Sequence, residues 1–210
     1  MKKLFFLVLL AVAESTIWAR VPMRQWLTSM PDSVMPLLTM NNRLDFIDFF
    51  DSNMDAVVTN RFEGKSQMDT LTDDFVSFAY TRSARVSMKL LPLTDTTDVL
   101  CMVTTMHAAV DDSRVVFFAE GWQMMDKMVL MDEPDLADFY KPELVDSMVE
   151  AGKKIDIFFK TYSLSADTHR LSCKLSSIDY LNAEDRMVVT PIIKDTPIIY
   201  EWRDGRFVVL

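Results

Sequence analysis

The feature that most constrains the fold is a change in hydrophobic rhythm near residue 75. From there, apolar and polar residues alternate in four successive runs separated by short turn segments, at 75–81, 85–90, 99–105 and 114–118. Alternation with a period of two places one face of a β-strand against a core. Because short links join neighbouring strands in opposite directions, we predict an antiparallel meander over this segment.

The second half of the chain has a similar order of elements. Helical material at 123–152, interrupted by Pro134 and Pro142, precedes a further set of strand-like runs, at 155–162, 170–175, 186–190 and 197–202. Asp204-Gly205 is a strong two-residue hairpin signal and leads into a last strand at 207–210. In the first half, residues 44–57 alternate apolar and acidic faces at helical spacing, which predicts an amphipathic helix ahead of the meander.

The two halves also share residue identities. At an offset of 85, Arg85-Val-Ser-Met-Lys-Leu90 aligns with Arg170-Leu-Ser-Cys-Lys-Leu175, and Met102-Val103-x-Thr105 aligns with Met187-Val188-x-Thr190. We therefore predict an α+β fold built from two tandem repeats of a helix and a four-stranded meander, at 44–122 and 123–210. The two repeats would form one extended sheet with helices packed on one face. The alternative is chance similarity between amphipathic strands.

The duplication makes specific claims about burial. Side chains alternate along a strand, so Leu90 and Leu175 should lie on equivalent buried faces, whereas Lys89 and Lys174 should face solvent. If sheet order follows chain order, two strands lie between Cys101 and Cys173, so three inter-strand spacings of roughly 4.8 Å separate the thiols by about 14 Å. That distance is too long for a disulfide, so two free thiols are predicted.

The N-terminus has the pattern of a removable signal peptide. Two lysines precede the apolar run Leu4–Ala13, and small residues follow it. The run is too short to span a membrane, and no cysteine lies nearby for lipid attachment. We predict a signal peptide at 1–19, cleaved after Ala19 or alternatively after Ala13, followed by a packed N-terminal arm at 20–43. The mature protein would be periplasmic or secreted, without stable membrane insertion.

Composition excludes some partners and cofactors. The formal net charge is −9, and removal of Lys2, Lys3 and Glu14 with the leader takes away a net +1, which leaves −10. An acidic surface argues against nucleic acid, whose binding depends on basic side chains that neutralise phosphates. Only four glycines are present in 210 residues, which argues against a glycine-rich phosphate-binding loop. No cofactor and no resident metal ion are predicted.

Three groups of residues could carry chemistry. His107, close to Asp111 and Asp112, could act as a catalytic base. Met125, Met128 and Met131 repeat at a spacing that could present thioethers to Cu(I), although methionine also fills irregular cores. The aspartates at 45, 48, 51 and 55 are most simply the solvated face of a helix. None of these groups is accompanied by a recognised catalytic motif, so we assign no site residue.

Several segments resemble a family of uncharacterised exported proteins of the Bacteroidales. The resemblance rests on Asn41-Asn42-Arg43, Leu71-Thr-Asp-Asp-Phe75, Leu90-Leu-Pro-Leu93 and the stretch from Asp112 to Trp122. It spans nearly the whole chain and implies an exported protein that folds as one unit. The family is a domain of unknown function, so the resemblance assigns no catalytic residue.

Function is predicted only broadly from these observations. The leading hypothesis is a non-catalytic binding or scaffold module of the periplasm that engages a protein or a glycan of the cell envelope. One alternative is a periplasmic hydrolase that uses His107 with nearby aspartates. A second alternative is a metal-handling protein that uses the methionines at 125, 128 and 131.

Overall fold

The computed structural model describes residues 20–144 and 152–210. This part of the chain forms two antiparallel β-sheets with short helices beside them. Two helices come first, α1 at Met23–Ser29 and α2 at Met40–Asp51. Helix α2 begins at a capping box in which the Thr39 hydroxyl accepts from the amide of Asn42, and the Asn42 side chain accepts from the amide of Thr39.

The larger sheet has seven strands whose spatial order follows the chain. They are β1 (Val57–Thr59), β2 (Lys65–Leu71), β3 (Phe75–Thr81), β4 (Ala84–Pro92), β5 (Asp98–Met106), β6 (Asp112–Ala119) and β7 (Gln123–Met125). The predicted meander is confirmed as β3 to β6. Strand β2 was missed because a fully buried serine, Ser66, occupies a core position where the pattern calls for an apolar residue.

The smaller sheet has four strands in the order β11-β10-β9-β8. They are β8 (Lys160–Leu164), β9 (Arg170–Leu175), β10 (Ile198–Arg203) and β11 (Arg206–Val209). The hairpin between β10 and β11 turns through Asp204 and Gly205, whose φ angles are 49° and 79°, as a two-residue turn of the predicted kind requires. Strand β8 begins five residues later than the run predicted at 155–162.

Helices and single turns occupy the connections around the smaller sheet. They are α3 at Lys127–Leu130, α4 at Ala183–Val189, and short 3₁₀ segments at Leu136–Phe139, Pro142–Leu144, Ser177–Tyr180 and Thr190–Ile192. The predicted strand at 186–190 is therefore wrong. Asn182 caps a helix here by accepting from the amide of Asp185, and Val189 packs into the core.

The elements pack as three layers around two separate cores. Helices α1 and α2 and the segment between them cover one face of the seven-stranded sheet, burying Trp26, Phe46, Phe78 and Leu90 among others. The four-stranded sheet packs against the opposite, inner face, where Phe117 and Phe207 meet with ring centroids 6.2 Å apart. Within the described residues no helix is long and apolar enough to cross a membrane.

The structure does not support the predicted duplication. There are two sheets rather than one extended sheet, and the segments aligned at 102–105 and 187–190 are a strand and a helix. Leu90 belongs to the core beneath the helices, whereas Leu175 belongs to the core between the sheets. Lys174 is exposed as predicted, but Lys89 is only 2 % exposed. Lys89 is buried because the second sheet covers the face of β4 that would be exposed to solvent in a single extended sheet.

Candidate functional site

A groove lies where the four-stranded sheet leaves the inner face of the larger sheet uncovered. Its volume is about 380 Å³. Strand β8 forms one wall, and small or hydroxyl side chains from β3, β4 and β5 line the floor, namely Ser77, Ser87, Val103 and Thr105. The groove exists because the smaller sheet ends at β8, while the larger sheet continues beyond it through β3 and β2. We call it the inner groove.

The wall of the inner groove is an unpaired sheet edge. The amide of Ser165 donates to the carbonyl of Arg170, and Phe159 O accepts from Ser176 N, which sets the hydrogen-bonding register of β8 with β9. In that register Thr161 and Ser163 point their backbone groups towards β9. Tyr162 and Leu164, at the alternate positions, point theirs outward.

The outward backbone groups of β8 have little to bind within the protein. The amide of Lys160, in the same alternate series, donates to Oδ1 of Asp112 at 3.3 Å. In residues 20–144 and 152–210, no hydrogen bond from another element reaches the backbone of Tyr162 or Leu164. The edge therefore offers two N–H donors and two carbonyl acceptors along one wall of the inner groove.

His107 lies at one end of the inner groove. Its Nδ1 is 3.0 Å from Oδ1 of Asp111, and both side chains are partly exposed, at 38 % and 45 %. This pair is the one that the hydrolase hypothesis predicted. Asp112 does not join it, since its Oδ1 accepts from the amide of Lys160.

A nucleophile for His107 is missing from the described residues. No serine, threonine or cysteine in 20–144 or 152–210 makes a hydrogen bond to its ring. Among the hydroxyls that line the groove, Thr105 Oγ1 is paired with Oγ of Ser113 at 2.8 Å. The structure brings together a base and its orienting carboxylate, but it does not assemble a nucleophile–base pair.

The three methionines of the metal-handling alternative, Met125, Met128 and Met131, do not converge. Met131 is 1 % exposed in the core between the sheets, Met128 is 80 % exposed, and Met125 packs at the margin of that core. Within the part of the chain that the structure covers, no three His, Cys, Asp or Glu side chains form a group that could hold a metal ion. The aspartates at 45, 48, 51 and 55 are all exposed.

The two cysteines are free, as predicted, and both are fully buried, but the predicted reason for the free thiols is wrong. They are not separated along one sheet; they belong to facing sheets and share the core between them. Burial raises the pKa of the Cys173 thiol to about 11 and raises the pKa of Cys101 further. Neither thiol is a candidate nucleophile at neutral pH.

The sequence could not locate the inner groove, because its wall and floor come from strands far apart in the chain. The alternation in 160–164 indicates a strand, but only the packing of the two sheets makes β8 an uncovered edge. His107 and Asp111 were the part of this site that local spacing could find.

Comparison with known proteins gives a family and a fold. A model described as a protein of unknown function (DUF3256) matches residues 19–207. The structure of a domain of an uncharacterized protein from Porphyromonas gingivalis W83 is similar, with a TM-score of 0.79 and 23 % sequence identity over 91 % of this chain and 98 % of that one. No curated protein matches. The likeness to the solved structure shows a shared fold, and the match over residues 19–207 shows that the chain belongs to the DUF3256 family.

Proposed function

We propose that the protein is an exported, non-catalytic binding module that holds an extended segment of a partner protein in the inner groove. The segment pairs with the free edge of β8 as an additional strand. The observation that carries this proposal is the pair of outward-facing backbone units at Tyr162 and Leu164, beside a groove of about 380 Å³. Strand addition uses main-chain hydrogen bonds for affinity and side-chain pockets for specificity.

The chemistry of the groove indicates which segment it accepts. The floor carries Ser77, Ser87 and Thr105, which are short and uncharged. Arg85, the cation that lines the groove, is paired with the carboxylate of Asp69. A strand added beside β8 points alternate side chains at this floor. We expect those side chains to be small and uncharged.

A protein partner fits better than a glycan. A glycan is usually held by exposed aromatic rings beside acidic groups, but the rings of Trp122, Tyr140 and Trp202, which neighbour acidic residues in the sequence, are each less than 9 % exposed. Unpaired backbone groups at regular strand spacing match a polypeptide, which presents donors and acceptors with the same repeat. The sequence left a protein and a glycan as alternative partners, and the inner groove favours the protein.

Export rests on the leader at 1–19, which lies outside the described residues. Its two lysines, its short apolar run and the small residues after it support a signal peptide. The family match begins at residue 19, which is consistent with a leader that is separate from the folded domain. We propose that the leader is removed and that the folded part acts in the envelope or outside the cell.

Site-specific photo-cross-linking in the producing cell tests the binding proposal. Benzoylphenylalanine at Ser163, on the edge of the inner groove, should capture a protein through a contiguous segment. The same group at Lys174, exposed on the neighbouring strand β9, is the matched control and should not.

A proline variant separates strand addition from simple proximity. Leu164→Pro removes an outward N–H without touching a β8–β9 hydrogen bond, and proline is tolerated where the missing N–H faces away from the sheet. The Ser163 cross-link should disappear in this variant. A cross-link that persists in Leu164→Pro, or that forms equally from Lys174, contradicts the proposal.

A further inference from the structure

A second groove lies on the opposite face of the seven-stranded sheet. Helices α1 and α2 and the segment between them cover most of that face, and a depression remains over β5, β6 and β7. The opening has a volume of about 570 Å³ and is bounded by the segment around Val34 on one side and by Met124 of β7 on the other. We call it the outer groove. It shares no strand edge with the inner groove.

The outer groove is apolar at one end and polar at the other. Cross-strand pairing places Phe118 beside Met124, then Met102 beside Val116, then Thr104 beside Arg114. From Phe118 to Arg114 this row extends about 14 Å, at roughly 3.4 Å per residue. The row therefore changes from apolar at Phe118 to polar at the Thr104–Arg114 pair, and the next pair, Met106 and Asp112, ends the groove.

The apolar end is adaptable rather than closed. Met124 is 67 % exposed, while Met102 and Trp122 are nearly buried beneath it. Unbranched thioether side chains adjust to ligands of varied shape. An apolar pocket of this size with one exposed, adaptable side chain at its edge is typical of a small-molecule site.

The polar end carries a cation with no protein partner. The guanidinium of Arg114 is exposed and makes no ion pair or hydrogen bond with any residue in 20–144 or 152–210. Asp112, two residues away on β6, also lines this end of the groove, and its Oδ1 accepts from the amide of Lys160 rather than from Arg114. An arginine fork matches the two oxygens of a carboxylate.

We propose that the outer groove binds a free single-chain fatty acid. The acyl chain would lie along Met102, Val116 and Phe118 beneath Met124, and the carboxylate would bind Arg114 and the hydroxyl of Thr104. The chain's formal charge of −9 opposes docking of the protein on an anionic membrane surface, so the ligand is the free acid rather than a bilayer. This site is independent of strand addition at β8.

Methionine methyl NMR on the mature protein tests the proposal with dodecanoate as the probe. Saturable shifts should appear at the ε-methyls of Met102, Met106 and Met124, all of which line the outer groove. Met54 and Met187 are at least as exposed as Met106 but lie outside the groove, and they serve as internal controls. Their signals should not move.

Two comparisons isolate the role of the cation. Arg114→Gln should weaken dodecanoate binding about tenfold, because a charge-assisted contact is lost. Dodecanol, which lacks the carboxylate, should bind the wild type and Arg114→Gln with the same weakened affinity. Arg114 is on the surface, so this variant should fold normally.

The contradicting results are distinct from those of the strand-addition experiment. The proposal fails if no methyl shifts, if Met54 and Met187 shift as much as the groove methionines, or if Arg114→Gln leaves dodecanoate affinity unchanged. It also fails if the protein ignores dodecanoate and instead sediments with anionic phosphatidylglycerol vesicles.

Discussion

Nη1 of Arg20 lies 3.0 Å from Oδ1 of Asp98, so the first residue that the structure describes holds a carboxylate that is only 6 % exposed. The same guanidinium donates to the carbonyl of Thr94. Burial raises the pKa of Asp98, and Arg20 opposes that shift. Arg20 thus connects the arm at 20–43 to the turn between β4 and β5, because the buried carboxylate of Asp98 is stabilised by the guanidinium.

This relationship predicts a pH-dependent role for Arg20. In Arg20→Gln the ionised Asp98 loses its partner, so we expect the free energy of unfolding at pH 7 to fall by about 1–2 kcal/mol. Because the folded-state pKa of Asp98 lies above its unfolded value, its contribution to stability is present at acid pH and lost as pH rises through the folded pKa. The loss of stability in Arg20→Gln should therefore be smaller near about pH 3, where the acid is protonated in both states.

Urea unfolding at the two pH values measures this difference. Arg24→Gln is the control, because Arg24 pairs with the exposed Asp51 and should change stability by less than about 0.5 kcal/mol at either pH. An equal loss from Arg20→Gln at both pH values would show that Arg20 acts through packing and its hydrogen bond to Thr94 rather than through the charge of Asp98.

Cleavage of the leader next to this contact is a separate prediction. We expect the N-terminus of the exported protein to be Arg20, or else Glu14 if the earlier site is used. N-terminal sequencing of protein recovered from the envelope provides the check. Recovery of a chain that begins at Met1 would be inconsistent with a removable leader.

Lys89 and Lys174 occupy equivalent places in the matching sequences but should respond very differently to alanine. Lys89 Nζ donates to the carbonyl of Ala166 at 2.6 Å and pairs with Asp74 at 2.8 Å, so it fastens β4 to the loop between β8 and β9. We expect Lys89→Ala to lower the free energy of unfolding by about 2–3 kcal/mol, since the Ala166 carbonyl loses its hydrogen-bond donor. Lys174→Ala should stay within about 0.5 kcal/mol. Thermal or urea unfolding of both variants measures the two changes in stability. If both variants lose less than about 0.5 kcal/mol, Lys89 is exposed in solution, as the sequence predicted.

These two lysines also show which features of the fold can be predicted from local sequence alternation. Alternation in Arg85–Leu90 correctly predicts a strand and its two faces. It cannot reveal that a second sheet, formed by residues 70 or more positions later, covers the face that carries Lys89. Burial of a polar face depends on long-range packing, whereas strand formation depends on neighbours.

The helix at Ala183–Val189 was mispredicted for a different reason. Arg186-Met-Val-Val-Thr190 is rich in β-branched residues, which favour strands, and the apparent repeat strengthened that interpretation. The opposing signal was present in Asn182, followed by Glu184 and Asp185, which is a typical helix start. Capping outweighed β-propensity here because Val189 can still bury its side chain from a helix.

The buried thiols should be reduced and unreactive in the folded protein. Cys173 has its pKa raised to about 11 by burial, so at pH 8 almost none of it is thiolate. Iodoacetamide should label neither cysteine in native protein and both in urea, as judged by intact mass. A mass two hydrogens lower without reductant would show a disulfide across the core between the sheets and overturn the assignment of free thiols.

Strand addition requires that the outward edge of β8 be unpaired in the free protein and hydrogen-bonded once a partner segment is bound. Amide hydrogen exchange followed by NMR tests it directly, using the mature protein alone and with the segment recovered by cross-linking at Ser163. In the free protein the amides of Tyr162 and Leu164 should exchange much faster than those of Thr161 and Ser163, which point towards β9. On binding, Tyr162 and Leu164 should become protected while Thr161 and Ser163 change little. Slow exchange of Tyr162 and Leu164 in the free protein, or protection that appears elsewhere and leaves these two amides unchanged, would contradict the account.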